Sequence, residues 1–305
     1  MKQFNKPAAR VLLAGTAAVA MAAGSGAVLA PAGSVTGDLV YVCTTPIGPK
    51  DFKTVTDTDL PTTMQYGQSV AAVNLTSTVT IPADLAGLAY GFLGARTVDG
   101  NGVANVNIGA TPAAVTSTIA KADIPATGDA PVVASGAAPA FKADTIGKTV
   151  VTAADYVANL TFYNEAGEPA ITVEAACAPK TVNDNGTPDD TSDDTPFTQD
   201  LTVDTVNVVK ATSTTNTKLS PSKAKRKVVA RTVVKSKYGT PVTGKVRYVL
   251  KRNGVKVKTV TKTLSSAKAS VTFTKLKPSG KYAVVSSYLG SATLKKDNDT
   301  DTFKW

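Results

Sequence analysis

The chain of 305 residues lacks histidine and has only two cysteines. It therefore has no Ser-His-Asp or Cys-His pair, and the histidine ligand of ordinary zinc sites is missing. A glycine-rich phosphate loop between a strand and a helix is also absent, because the string VDGNGVANV (98–106) is predicted to run between strands. We expect no catalytic residue, no metal site and no cofactor.

A pair of carboxylates could still act in catalysis. A glycoside hydrolase needs two acids held about 5 to 9.5 Å apart on a rigid frame. Glu165 and Glu168 lie in a turn-like string, NEAGE, and the aspartate pairs lie in a polar segment described below. A carboxylate-pair glycoside hydrolase is therefore the weaker alternative to a protein that is not an enzyme.

Acidic residues are almost missing from the last third of the chain. Residues 33–180 carry 7 basic and 13 acidic groups, a net charge of −6. Residues 181–205 add seven aspartates and no basic group, whereas residues 206–305 carry 23 basic and 3 acidic groups, a net charge of +20. We call 33–180 the N-terminal module, 181–205 the acidic linker and 206–305 the C-terminal module. Such opposed charges indicate a polyanionic partner of the C-terminal module, or attraction between the two modules.

Long apolar runs are absent except near the start. Lys2, Lys6 and Arg10 precede the apolar run Val11–Ala23, and small residues at Ala30 and Ala32 fit a cleavage site. The run is too short for a membrane span, which needs about 20 apolar residues. Residues 1–32 are therefore predicted to be a signal peptide, and the mature chain is expected to be secreted without a transmembrane segment.

The two cysteines are predicted to form one disulfide, Cys43–Cys177, because exported proteins meet an oxidising environment. This bond would close a loop over most of the N-terminal module and tie its first strand to its last. In the chain-entropy model such a loop is worth about 4 to 5 kcal/mol. Two buried thiols are the alternative.

Helical periodicity is scarce, and strand signals are common. Short segments rich in Val and Thr alternate with turn residues in the N-terminal module, which favours a β-sandwich or barrel. The predicted strands are LVYVCTT, SVAAVNLTSTVTI, ANVNIG, AVTSTIA, KTVVTAADY, VANLTFYN and AITVEAACA. ADLAGLAYGFLGA (83–95) is the exception, with helix-like spacing that predicts a short helix or apolar loop closing one end.

The N-terminal module resembles an uncharacterised domain that follows the signal peptide of secreted actinobacterial proteins. The resemblance covers residues 37–180 and implies a β-rich extracellular fold without a known activity. It rests on these strings and on the closing Cys177: YVCTTPIGP, TVTIPADLAGLAYGFLGART, the Pro- and Gly-rich stretch IPATGDAPVVASGAAPAF, and VANLTFYNEAGE.

The acidic linker contains NDNGTPDDTSDD (183–194), which partly matches calcium-binding loops. Asn183, Asn185, Gly186 and Asp189 have suitable spacings, but Thr181 occupies the first ligand position and no glutamate supplies the last. A solvated, self-repelling linker is the favoured interpretation.

In the C-terminal module, Asn253-Gly254 predicts a two-residue hairpin turn between VRYVL and VKVKTVT. Such a turn pairs residues whose numbers sum to 507, which places Leu250 and Val257 together on the core face. The solvent face is then a basic surface, and its candidate polyanion-binding residues are Lys245, Arg247, Lys251, Lys256, Lys258 and Lys262. The alternative is that these lysines only prevent sheet-to-sheet aggregation and keep the protein soluble.

Residues 212–305 resemble a bacterial immunoglobulin-like repeat. The resemblance rests on GTPVTGKVRYVLKRNGVKVKT and LKPSGKYAVVSSYLGSATLKK. It implies a β-sandwich that serves as a spacer or adhesive module. The predicted fold is therefore all-β, with two immunoglobulin-like β-sandwich domains joined by the acidic linker.

These observations predict a secreted, non-catalytic binding or structural protein of the cell envelope. The basic module is expected to attach to an anionic wall polymer or glycan, while the N-terminal module presents an interaction surface to an unidentified protein. Nucleic acid is not an expected partner, because an exported protein is separated from the nucleic acids of the cell. The basic strands also lack the exposed aromatic side chains on which bases stack. A freely secreted interaction protein with a solubilising basic module is the second hypothesis.

Overall fold

The computed structural model describes residues 38–184 and 191–305. The predicted signal peptide (1–32) and residues 185–190, which include three of the four residues with calcium-loop spacing, lie outside them. Within the described residues the chain is almost entirely β-strand, with a single α-helix, α1 (Ala83–Phe92). The predicted all-β, sandwich-type fold is thus confirmed.

The strands up to the acidic linker are β1 (Leu39–Thr45), β2 (Gly48–Thr58), β3 (Thr63–Gln65), β4 (Ser69–Val70), β5 (Val73–Ile81), β6 (Thr97–Ile108), β7 (Thr111–Asp123), β8 (Ala130–Ala138), β9 (Phe141–Lys142), β10 (Gly147–Tyr163) and β11 (Pro169–Pro179). The later strands are β12 (Val182–Asn183), β13 (Thr195–Pro196), β14 (Thr202–Val209), β15 (Ser213–Ser222), β16 (Lys227–Ser236), β17 (Lys245–Arg252), β18 (Val255–Thr263), β19 (Lys268–Phe273), β20 (Lys281–Tyr288) and β21 (Asp297–Lys304).

Alternation of buried and exposed side chains explains why these segments form strands. In β16 the buried residues Val228, Ala230, Thr232 and Val234 alternate with residues that are more exposed. Successive side chains of a strand point to opposite faces of the sheet, so this pattern covers one face with core and leaves the other to solvent. Most strands of the C-terminal module repeat the pattern.

Eight strands of the N-terminal module form a closed circuit of antiparallel neighbours. The order is β1, β2, β5, β8, β7, β6, β10, β11 and back to β1. Cys43 lies directly opposite Cys177 where β1 meets β11, and the two form a disulfide. The predicted disulfide is confirmed, and it joins the first and last strands of this circuit.

One stretch predicted to run between strands is itself a strand, and another strand lies where none was predicted. The string VDGNGVANV lies within β6, and the Pro- and Gly-rich stretch contains β8. A Cβ atom on Gly100 would lie 2.0 Å from the Asn159 carbonyl oxygen, and one on Gly136 would lie 2.5 Å from that of Thr116. These glycines permit close approach between neighbouring strands rather than a turn, which is why the prediction was wrong.

The chain continues into the same sheet after the acidic linker. β14 pairs with β10 and, in parallel, with β3, and Val206 and Val208 lie in the N-terminal core. Residues 202–205, predicted to be the end of the linker, lie in this strand. Ala211 is the first residue of the second core, so the two cores divide between Val208 and Ala211.

The C-terminal module has two sheets facing one core. One sheet has the order β15-β16-β19, and the other has the order β18-β17-β20-β21. Tyr248, Phe273, Tyr282 and Tyr288 are among its fully buried side chains. Each sheet therefore has two edge strands, and the charged groups described below lie at these edges.

Candidate functional site

The hairpin that joins β17 to β18 has the predicted turn. Asn253 and Gly254 both have positive φ angles, 49° and 82°. Asn253 is also bound to the start of β20, because its amide donates to the Lys281 carbonyl at 2.8 Å and its side chain accepts from the Lys281 amide at 2.9 Å. Next to the turn, Lys251 pairs with Lys256 as predicted.

Beyond Lys251 the predicted register is wrong. The pairing shifts by one residue, so that Leu250 lies opposite Lys258 and Tyr248 lies opposite Val260. Val257 is the extra residue of a β-bulge, and its side chain is 55% exposed. The shift places Val260 against the core and leaves Val257 out of it. Because side chains alternate, a one-residue slip exchanges the two faces of a strand.

The six predicted polyanion-binding residues consequently divide between two faces. Lys245, Arg247 and Lys251 alternate with the buried residues of β17 and point outward, and Lys256 lies opposite Lys251. Lys258 and Lys262 lie opposite the buried residues Leu250 and Val246, on the core side of the edge strand. The structure does not bring the six together on one surface.

Two of the six instead contribute to a basic cleft at the β18–β19 edge of the module. The cleft has a volume of about 350 Å³ and apolar walls that include Leu250, Phe273 and Tyr282. Its cations are Arg252, Lys256, Lys258, Lys275 and Lys277. Sequence reasoning missed Arg252, Lys275 and Lys277, although the string TKLKPSG does carry alternating lysines around Leu276.

Hydrogen bonds hold the wall of the basic cleft in place. The Arg252 guanidinium donates to the carbonyls of Pro278 at 3.3 Å and Ser279 at 2.7 Å. The Tyr282 hydroxyl donates to the Lys277 carbonyl at 2.9 Å. Arg226 binds Leu276 from the other side, with its Nε 2.9 Å from the Leu276 carbonyl. The loop that carries Lys275 and Lys277 is therefore fixed from three directions.

The three acids of the C-terminal module lie at the opposite edge. Asp297, Asp299 and Asp301 occupy alternate positions of β21 and accept hydrogen bonds from the backbone amides of alternate residues of β15. The amides belong to Thr215, Thr217 and Leu219, at 2.6, 2.7 and 3.1 Å. We call this arrangement the aspartate ladder. It joins the edges of the two sheets and directs every carboxylate side chain of the module to that edge.

The cations of the basic cleft have no carboxylate partner in the described part of the chain. The ion pairs found there are Lys50–Asp84 and Lys180–Asp51, both in the N-terminal module. Five cations around one cleft produce a positive potential that an anionic ligand would relieve. The arrangement can bind anions.

The N-terminal module matches the model of a protein family. Residues 40–190 match the model of a "Family of unknown function (DUF6801)". The match spans about half of the chain and includes every strand of the closed circuit. The predicted resemblance to an uncharacterised domain is confirmed to that extent, and the DUF6801 match ends before the C-terminal module begins. A comparison with curated proteins gave no match.

Solved structures show only distant similarity. A structure named "Putative membrane anchored protein from Corynebacterium diphtheriae" is 12% identical with a TM-score of 0.39, over 89% of this chain and 58% of that one. The human OSCAR ligand-binding domain is 10% identical with a TM-score of 0.23, over 82% of this chain and 96% of that one. A "putative carbohydrate binding protein" of Bacteroides uniformis is 10% identical with a TM-score of 0.23, over 67% and 88%. This chain thus spans less than two thirds of the first of these proteins, and none of the three transfers a function to it.

Proposed function

We propose that the protein is a secreted, non-catalytic binding protein whose C-terminal module attaches to an anionic polymer of the cell envelope. The observation that carries this proposal is the basic cleft, in which five cations without carboxylate partners surround apolar walls. The fixed loop supports it as well, because a preformed site loses little conformational entropy when it binds.

Secretion is supported by the disulfide between Cys43 and Cys177, since such bonds persist in oxidising compartments. Among the described residues, no helix is long and apolar enough to cross a bilayer. We further propose that the C-terminal module is immunoglobulin-like, and that the N-terminal module, a domain of unknown function, faces an interaction partner. We also propose an actinobacterial origin for that domain and a division of the chain into two domains.

The second candidate function is free secretion with lysines that only maintain solubility. The inward position of Lys258 and Lys262 on the edge strand β18 favours it, because inward-pointing charges are a known protection against edge-to-edge pairing. The two candidates differ in one measurable property. A binding site depends on where the cations lie, whereas solubility depends on how many there are.

The test measures binding of the mature chain to immobilised long-chain polyphosphate and to isolated cell walls, at low and high salt. In the cleft variant, Lys256, Lys258, Lys275 and Lys277 are changed to Gln. The control variant loses the same charge at exposed lysines away from the cleft, namely Lys218, Lys235, Lys295 and Lys296. We expect the cleft variant to bind about tenfold more weakly at low salt, and the control to stay within about threefold of the wild type. Binding should fall with salt, because screening shortens to roughly 3 Å at 1 M.

Equal losses in the two variants would show an effect of total charge and would support the second candidate. Failure of the wild-type chain to bind either polymer at low salt would contradict the proposed function. Thermal unfolding of each variant is measured alongside, so that a loss of binding is not confused with a loss of fold.

A further inference from the structure

A cavity separate from the basic cleft lies in the N-terminal module, where α1 covers the closed circuit of strands. Its volume is about 280 Å³, and strand residues such as Phe52, Ile81 and Leu160 form one wall. Side chains of α1, including Leu85 and Ala89, form the other. The lining is apolar apart from Thr45, whose hydroxyl already donates to the Gly48 carbonyl at 2.6 Å. We call this space the apolar cavity.

Short side chains explain why the apolar cavity is not filled. The buried residues of α1 are Ala86 and Ala89, and the strand wall includes Ala175. A helix that packed only through its side chains would settle closer to the sheet. The short side chains therefore leave a space between helix and sheet that opens to solvent beside Ile47, Leu88 and Phe92.

The helix is held at both ends instead. Asp129 accepts a hydrogen bond from the Ala83 amide at 2.9 Å at the start of α1. At its end, the Arg96 guanidinium donates to the Tyr90 carbonyl at 3.2 Å and lies 3.8 Å from the centre of the Tyr90 ring. These contacts fix α1 without filling the space beneath it. The apolar cavity is therefore preformed.

A smaller cavity lies beside the apolar cavity, inside the circuit of strands. Its volume is about 30 Å³, and it shares the wall residues Phe52, Ile81, Leu160 and Ala175 with the apolar cavity. Two adjacent apolar spaces, a larger outer one and a smaller inner one, fit a slender ligand better than a broad one. The inner cavity is again lined almost entirely by hydrocarbon and aromatic groups.

Exposed apolar side chains surround the mouth. Ile47, Leu88 and Phe92 line the apolar cavity and are 52%, 48% and 86% exposed. A polar group inside this space would lose its hydrogen bonds to water without gaining new ones. The ligand must therefore bury hydrocarbon and keep any polar group at the mouth.

We propose that the apolar cavity binds a single unbranched aliphatic chain, such as that of a fatty acid, with its polar end outside. The proposal is independent of polyanion binding, since it concerns the other module. Each additional methylene should tighten binding about fourfold until the cavity is filled, after which longer chains gain nothing.

The experiment titrates the mature chain with saturated fatty acids of eight to sixteen carbons, by displacement of a fluorescent dodecanoate. Ala89→Leu fills the cavity from α1, whereas Ala83→Leu adds the same side chain at an exposed position outside it. We expect dodecanoate affinity to fall at least tenfold in Ala89→Leu and to stay unchanged in Ala83→Leu, with thermal stability retained in both. Unchanged affinity in Ala89→Leu would overturn the proposal.

A third variant decides the matter if Ala89→Leu fails to fold. Phe92→Ser changes a side chain that is 86% exposed, so the fold should tolerate it, and dodecanoate affinity should fall about threefold to tenfold. The proposal would be overturned if the chain bound no fatty acid of any length, or if it bound phosphatidylcholine vesicles but not monomeric fatty acid. It would also be overturned if the chain bound no fatty acid but formed a dimer that Phe92→Ser abolished.

Discussion

At the scale of single residues, the aspartate ladder shows how side-chain carboxylates can accept the hydrogen bonds that a neighbouring strand would otherwise accept. The outer amides of β15 have no neighbouring strand within their sheet, and Asp297, Asp299 and Asp301 accept hydrogen bonds from three of them. Hydrogen bonds to an ionised acceptor are stronger than those between neutral groups. The ladder thus closes an edge that would otherwise be open to pairing with another chain.

We expect Asp299→Asn to lower the free energy of unfolding by about 1 kcal/mol, because the Thr217 amide keeps a carbonyl acceptor but loses its negative charge. Urea unfolding of the mature chain measures the change. Asp123→Asn removes one negative charge at an exposed position and serves as the control. Equal effects of the two substitutions would mean that charge, and not the ladder, carries the stability.

Two tyrosines, the buried Tyr41 and the partly buried Tyr156, predict how stability depends on pH. Tyr41 and Tyr156 lie edge to face with ring centres 4.8 Å apart. Burial raises the pKa of Tyr156 to about 12, and burial also raises the pKa of Tyr41 above its usual value. The folded state keeps these protons where the unfolded chain releases them. Their contribution is therefore complete below about pH 10 and is lost as the pH rises toward 12.

We expect the unfolding free energy to fall between pH 10 and pH 12, and to fall less steeply in Tyr156→Phe. One titrating proton is worth up to about 1.4 kcal/mol per pH unit, so the two slopes should differ by up to that amount. Urea unfolding at pH 8.5, 10 and 11 gives the comparison. Identical slopes would show that Tyr156 does not titrate in this way.

At the scale of elements, β18 shows what a local pattern can and cannot predict. Asn253-Gly254 determines the turn and the first two pairs, because both residues adopt positive φ. The bulge at Val257 depends on a contact farther along, where Val260 packs beside Tyr248. The apolar Val260 between threonines was a usable signal, since the predicted register pointed it toward solvent.

The last residue of β3 and the segment after it join the two modules. Tyr66 packs against both cores, and the Gln65 side chain accepts hydrogen bonds from the Thr212 amide at 2.9 Å and the Thr212 hydroxyl at 3.2 Å. Gly67 has a φ of +84°, and a Cβ atom there would lie 2.8 Å from the Thr240 hydroxyl oxygen. The contact leaves no room for a side chain.

We expect Gly67→Ala to destabilise the protein more than Gly128→Ala does. Both glycines have positive φ, but a Cβ atom on Gly128 meets nothing within 4 Å. Both substitutions carry the cost of strained backbone, about 1 to 3 kcal/mol, and Gly67→Ala adds the clash with Thr240. Thermal unfolding compares the two, and equal effects would contradict a tight junction.

At the scale of the whole molecule, the sequence predicted the class of fold, the disulfide and the segregation of charge. Those features follow from composition, from the pairing of two cysteines and from alternation within single segments. The closed circuit could not be predicted, because glycines inside β6 and β8 have the same local pattern as glycines in turns. The basic cleft was missed in part, because it combines a hairpin with the loop after β19, and only tertiary packing brings these together.

The aspartate ladder also has a mechanical consequence. β15 and β21 run parallel, with each ladder contact linking residues 82 positions apart. A force that pulls residues 211 and 304 apart would slide these strands along each other. It would stretch all three hydrogen bonds between the amides and the carboxylates together. Bonds that share a load must break at once, whereas bonds opened from one end break in turn. The same contacts that seal an edge therefore make the C-terminal module resist tension along its strands.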